Sequence, residues 1–142
     1  MAPENSIRYV ETSLLLAALL EQNADAKRAL RAPGRRLMSA LTVAEANRAI
    51  VRARSMGRIT SAQERAVARA LRRFVARCDL VAITDDVLLR AGRPFPVEPI
   101  RTLDAIHLAT AEALGEQPSL VAILTLDVRV RTNATAMGYQ TT

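Results

Sequence analysis

The sequence predicts an α/β fold with parallel strand pairing. Short β-branched or apolar runs alternate with helical periodicities along the chain, and strands separated by helices pair in parallel. At 142 residues the chain suits one domain, 1–142, with one core. Half of its residues are apolar, ample material for that core, and only the first six read as a loose N-terminus.

Ser6 to Val10 alternates and ends in aromatic and β-branched residues, a short strand, and Thr12-Ser13 then offers an N-cap for an apolar helix through Leu20. A second helix is expected over Ala24 to Leu30, a turn at Pro33-Gly34, and another short strand over Arg35 to Ala40. Thr42 to Met56 has helical periodicity with Gly57 as its stop. Thr60 to Cys78 forms a further long helix opened by a Ser61 to Glu64 capping pattern, and these two make a helical hairpin. Leu80 to Thr84 reads as a buried strand, with Asp85-Asp86 capping the next helix and Pro94, Pro96 and Pro99 enforcing an extended loop. Thr102 to Leu114 is helix, Leu120 to Leu126 a strand apolar on both faces, Asp127 to Met137 helix, and Gly138 leads into a last short strand.

Cys78 is the only cysteine, which excludes an intramolecular disulfide and a cysteine-based metal site, favours a reducing compartment and suits a core thiol. The apolar run from Leu14 to Leu20 follows Glu11, lacks a preceding basic stretch and is too short for a membrane span, so a cytoplasmic protein is expected. The net charge of +6 rests on arginine, with Lys27 the only lysine among twenty basic residues. Arginine suits phosphate through its planar fork, yet GC-rich codon usage gives the same enrichment, so charge alone selects neither reading.

Four acids stand in apolar surroundings at strand ends or helix starts: Glu11, Glu45, Asp104 and Asp127. An ionised carboxylate is costly to bury unless its charge is compensated, and the carboxyl ends of parallel strands form a common binding crevice where distant acids can converge. Each also has a structural reading. Thr42 and Glu45 match a capping box, Asp104 and Asp127 fall in a first helical turn where a carboxylate favours the helix dipole, and Glu11 precedes a cap.

Taken together, Tyr9-Val-Glu-Thr-Ser-Leu-Leu, Thr42-Val-Ala-Glu-Ala-Asn, Arg101-Thr-Leu-Asp-Ala-Ile-His-Leu-Ala-Thr-Ala and Thr125-Leu-Asp-Val-Arg with Ala136-Met-Gly-Tyr resemble the PIN-domain family, especially VapC-type toxins. The resemblance runs in order over nearly the whole chain, and its most specific piece is the Asp104 segment. It implies a three-layer α/β/α sandwich around a short, mainly parallel sheet. It also implies acids at Glu11, Glu45, Asp104 and Asp127 that bind Mg2+ or Mn2+ for RNA hydrolysis, with Thr12 or Ser13 and Thr125 as supporting polar residues. An antitoxin of the VapB type that blocks the crevice, and a homodimer or larger assembly, follow from the same likeness. The chain departs from the family at its first acid, Glu11, where aspartate is usual. Glutamate adds about 1.5 Å of reach, and Mg2+ demands near-ideal octahedral geometry. A misplacement of about 1 Å can cost roughly a hundredfold in rate, so a slow nuclease or an inactive relative is a second expectation.

Arg65, Arg69, Arg72, Arg73 and Arg77 share one face of the helix after Ser61, with Val67, Leu71 and Phe74 on the other. Such a stripe is a solvated outer face first and a phosphate track second. His107 follows Asp104 by three residues and reads as a packed residue with satisfied hydrogen bonds rather than a general base. The rival of another class is a non-catalytic, protein- or RNA-binding module with a decayed site. A structure-specific DNA nuclease on the same fold suits so short a chain less well, and a receiver-like domain is set aside because Lys27 is misplaced for it.

Overall fold

A computed structural model describes residues 6–142. Most of the expected loose N-terminus, residues 1–5, lies outside the described residues. Ser6 is tied down, its carbonyl accepting the Arg35 N–H at 3.0 Å. Gly34 permits that approach, because its φ is +131° and a Cβ there would lie 2.7 Å from the same carbonyl.

Strand β1 (Ile7–Val10) is followed by α1 (Thr12–Leu19) and α2 (Ala24–Arg31), and β2 (Arg35–Ser39) by α3 (Ala40–Ser55) and α4 (Ser61–Val75). Then come β3 (Asp79–Val81), α5 (Asp85–Ala91), α6 (Thr102–Ala113), a 3-10 turn at Pro118–Leu120, β4 (Val121–Leu124), α7 (Val128–Ala136) and β5 (Gln140–Thr141). The strands form one five-stranded sheet in the order β3-β2-β1-β4-β5. Each neighbouring pair is parallel, with Ile7 opposite both Arg35 and Val121 in register.

The sheet separates two apolar layers, and the two-residue period of each strand decides which residue enters which. Ile7, Tyr9, Leu37, Val121 and Ile123 face α5, α6 and α7, where they meet Val87, Leu108 and Val130. Val10, Met38 and Leu124 face the other way, against Leu14, Leu15, Leu30, Ile50 and Leu71 of α1 to α4. Burial of each such side chain contributes about 1.5–3 kcal/mol, so the alternation sets both strand register and layer assignment. The result is the three-layer α/β/α sandwich that the sequence led us to expect. No helix among the described residues is long and apolar enough to cross a membrane.

Several local expectations shift. Residue 11, not the Thr12-Ser13 pair, is the N-cap of α1, and it makes no side-chain cap bond. Helix α3 starts earlier than expected and is capped by Ser39, whose hydroxyl accepts the Leu41 N–H at 3.0 Å, so Thr42 and Glu45 are not its capping box. In α4 the box lies one residue earlier, between Thr60 and Gln63, because both halves of the reciprocal bond form there. Likewise α5 is capped by Thr84, with Asp85 and Asp86 inside its first turn. The expected buried strand over Leu80 to Thr84 is instead the three-residue edge strand β3, and Leu80 is 49% exposed. An edge strand has a neighbour on one side only, so its apolar composition does not by itself place it in the interior.

Candidate active site

Strand β1 is the switch point of the sheet: the chain leaves it toward β2 on one side and returns to β4 on the other. The crevice beyond the carboxyl ends of these strands receives side chains from four separate segments. Glu11 directly follows β1, and its N–H extends the β1–β4 pairing by donating to the Leu124 carbonyl at 3.0 Å. Thr125 directly follows β4, Glu45 lies on α3, and Asp104 lies in the first turn of α6.

The Glu11 carboxylate is 5% exposed and held by two hydroxyls. Oε2 accepts from Ser13 Oγ and from Thr125 Oγ1, the latter at 2.7 Å. Each hydroxyl spends its single proton on Glu11 and uses its oxygen to accept a backbone N–H of the turn after β4. Ser13 accepts from Leu126 at 2.9 Å, and Thr125 accepts from Asp127 at 3.0 Å. The collar therefore ties the end of β1 to the start of α7.

Glu45 is served by Thr12 and His107. Its Oε1 accepts from Thr12 Oγ1 at 2.7 Å and faces His107 Nε2 at 2.7 Å. An ionised carboxylate only accepts, so Nε2 carries a proton. Nδ1 of the same ring stands 3.0 Å from the Tyr9 hydroxyl, and burial first of all raises the Tyr9 pKa, keeping it a phenol. Thr12 Oγ1 also stands 3.1 Å from Thr42 Oγ1, so the two hydroxyls meet beside Glu45. Burial pushes the Glu45 carboxyl up, but the hydrogen bonds from His107 and Thr12, with the charges of His107 and Arg101, outweigh it and hold Glu45 below the usual range. His107 is thus the packed, satisfied residue expected, 2% exposed. It also stands 3.9 Å from Glu11 Oε1, between the two glutamates.

Asp104 and Asp127 share a cation. Arg101, the N-cap residue of α6, donates from Nε to Asp104 Oδ2 at 3.0 Å and from Nη2 to Asp127 Oδ2 at 2.9 Å. The other oxygen of Asp127 caps α7, accepting from the Arg129 and Val130 N–H groups at 2.8 and 3.2 Å. Asp127 is thus the N-cap of α7 rather than a residue of its first turn, with one oxygen on the helix and the other on Arg101.

The structure brings Glu11, Glu45, Asp104, Asp127, Thr12, Ser13 and Thr125 into one neighbourhood, in which Thr12 and His107 bond Glu45, Ser13 and Thr125 bond Glu11, Arg101 bonds both aspartates, and His107 approaches Glu11 at 3.9 Å. It does not bring the α4 arginines there: Arg65, Arg69, Arg72 and Arg73 are exposed on the outer face of that helix. The basic residues lining the groove beside Glu45 are Arg48 and Arg52 of α3, with Arg101 opposite. Sequence reasoning passed over these three. The i, i+3, i+7 spacing from Glu45 to Arg48 and Arg52, and the i, i+3 spacing from Arg101 to Asp104, were the available signals.

A sequence model of the PIN-domain family matches residues 8–135. Ribonuclease VapC46 of Mycobacterium tuberculosis is 38% identical over 132 residues, covering 92% of each chain. In three dimensions the fold is similar to the crystal structure of Mycobacterium tuberculosis VapC20, described as a Sarcin-Ricin loop cleaving toxin. The TM-score is 0.65 at 19% identity, over 93% of this chain and 95% of that one. It is similar also to a chain of VapBC2 from Rickettsia felis, solved bound to a DNA fragment from their promoter, with a TM-score of 0.66 at 12% identity over 96% and 97% of the chains. At such identities the structural matches establish the fold.

Proposed function

Because this chain belongs to the PIN-domain family, we propose that it is the toxin of a toxin–antitoxin pair, an endoribonuclease that hydrolyses RNA phosphodiester bonds with Mg2+ or Mn2+. The observation that carries this reading is the meeting of Glu11, Glu45, Asp104 and Asp127, from segments up to 116 residues apart, at one edge of the sheet. Acids gathered from such distances repel one another, and a shared cation resolves that conflict.

The donor set fits a hard cation, being carboxylate and hydroxyl oxygens with no thiolate. Among the described residues no three acidic, histidine or cysteine side chains already stand at metal-holding spacing, so loading requires side chains to move. Arg101, the shared partner of Asp104 and Asp127, has that freedom, being 63% exposed. Glu11, Glu45, Asp104 and Asp127 are the residues that would hold the ion. When bound, it supplies Lewis-acid stabilisation of charge on the phosphoryl group. The chain's own contributions are distinct: His107 acts as a positioning residue that aims Glu45 Oε1 through Nε2, and Ser13 and Thr125 aim Glu11. Arg48 and Arg52 line the groove where a backbone phosphate would run, and the exposed Arg65, Arg69, Arg72 and Arg73 extend the basic surface for RNA.

An antitoxin of the VapB type, covering the acid crevice, is the partner this reading calls for, with a homodimer or larger assembly in the cytoplasm. The relatives' ribonuclease names support catalysis. One observation favours the rival reading of an impaired binding module, the glutamate at position 11.

Cleavage of a panel of structured RNAs by purified protein, with Mg2+ or Mn2+ and beside EDTA and Asp104→Asn, tests the proposal. Cutting that needs the metal and is lost in the variant is the expected result. Cutting that persists in EDTA overturns the metal dependence. No cutting by the wild type, with cutting by Glu11→Asp, puts the impaired module in its place, and equal cutting of DNA redirects the substrate class.

A further inference from the structure

Among the described residues Arg101 is the one arginine placed directly on two of the four acids. Its Nε and Nη2 engage Asp104 and Asp127, which lie 23 residues apart on different helices, so one guanidinium closes the crevice between the start of α6 and the start of α7. Asp104 is almost fully buried, whereas the Arg101 side chain is 63% exposed. An exposed guanidinium exchanges its partners for water at little cost, while a buried carboxylate that loses its partner does not. The pairing is therefore asymmetric: the acids need a cation, and Arg101 is free to leave.

We propose that Arg101 is a counter-ion built into the chain that competes with the divalent cation for Asp104 and Asp127, and so sets how much metal the site requires. The inference rests on the reading of these acids as metal ligands. Like charges assembled in one crevice destabilise the fold unless neutralised, and Arg101 supplies that neutralisation from a tethered position. An ion held by Asp104 and Asp127 would release the guanidinium to solvent and to the groove it already lines with Arg48 and Arg52.

The test is calorimetric titration of Mn2+ alone into the wild type, Arg101→Gln and Arg58→Gln at fixed ionic strength, with thermal midpoints in EDTA and at saturating Mn2+. Arg58 lies exposed in the α3–α4 turn, so its variant removes one positive charge far from the crevice. Arg101→Gln should bind Mn2+ about twofold to fivefold more tightly, the range expected for release of an exposed ion-pair partner, and Arg58→Gln should match the wild type. The variant's midpoint should fall below the wild type in EDTA, and the gap should close when Mn2+ replaces the lost charge. Equal or weaker binding by Arg101→Gln, an equal gain in Arg58→Gln, or a midpoint gap that persists in Mn2+ overturns the role given to Arg101 while leaving the metal reading standing. No Mn2+ binding by any of the three proteins overturns both.

Discussion

The crevice joins two pairs of carboxylates that are compensated in opposite ways. Glu11 and Glu45 receive donors anchored in the core: Ser13, Thr125 and Thr12 hydroxyls and the His107 ring. Asp104 and Asp127 share one mobile positive charge from an exposed side chain. Hydroxyl donors built into helix starts hold the glutamates in place whether or not a cation arrives, because they need not leave when one does. The guanidinium holds the aspartates only until something of higher charge takes its place. One side of the crevice is a fixed frame, and the other is the side that exchanges.

The strongest way to break this contrast is to shorten the frame. In Glu11→Asp the carboxylate retreats by about 1.5 Å from Ser13 and Thr125, whose positions are set by their bonds to the Leu126 and Asp127 N–H groups. If the collar is sized for glutamate, RNA cleavage by Glu11→Asp should drop by about tenfold or more, as misplacement near 1 Å does elsewhere. A rise in rate would show the opposite, that the collar holds a carboxylate in an unproductive place. The comparison needs only initial rates on one cleaved RNA and a circular dichroism spectrum of each protein.

A smaller effect is expected on the same side from Thr125→Val, a near-isosteric change. The hydroxyl donates to buried Glu11 and accepts from the Asp127 N–H, so its loss strips a partner from a carboxylate and from a backbone donor at once. The cost should be about 1–3 kcal/mol, measurable by urea unfolding with the slope unchanged. The corresponding loss on the aspartate side, in Arg101→Gln, should be recovered by Mn2+. That in Thr125→Val should not, because no added ion replaces a hydroxyl proton.

The frame was more legible in the sequence than the exchangeable side. Glu11, Thr12 and Ser13 are adjacent, and Thr125 and Asp127 close a strand whose apolar run is unmistakable, so strand ends located Glu11 and Asp127 and the likeness to the PIN-domain family marked the hydroxyls beside them. Parallel pairing was legible because the period of apolar residues is local information, whereas the three layers came from the likeness to the PIN-domain family. Arg101 was not, because whether an arginine at a helix start turns to solvent or across to a residue 26 positions away depends on where α7 docks, which is a tertiary fact. The α3 cap was missed through similar competition. Ser39 and Thr42 are both plausible caps by type, and Ser39 takes the role because it ends β2, leaving Thr42 fully buried against Thr12. Strand β3 was read as buried from its apolar residues, although its place at the sheet edge, not its composition, decides its exposure.

The smallest predicted effect sharpens the contrast through pH. Glu45 has its pKa held below the ordinary value of 4.5 in the folded chain, since the bonds from His107 and Thr12 outweigh its burial. A carboxyl that binds its proton less tightly when folded adds stability above its unfolded pKa, and that contribution is lost as pH falls through the folded value. The wild type should therefore exceed Glu45→Gln in thermal midpoint by roughly 3 °C at neutral pH, as about 1 kcal/mol implies for a domain of this size. That difference should shrink steadily below about pH 4.5 as the carboxylate of the wild type is protonated. Added NaCl should alter it little, because partly buried hydrogen bonds are screened less than exposed charges, whereas the Arg101→Gln difference should diminish with salt. A Glu45 difference that is constant from pH 7 to about pH 3 would mean that packing of the side chain, not its charge, is what His107 and Thr12 hold in place.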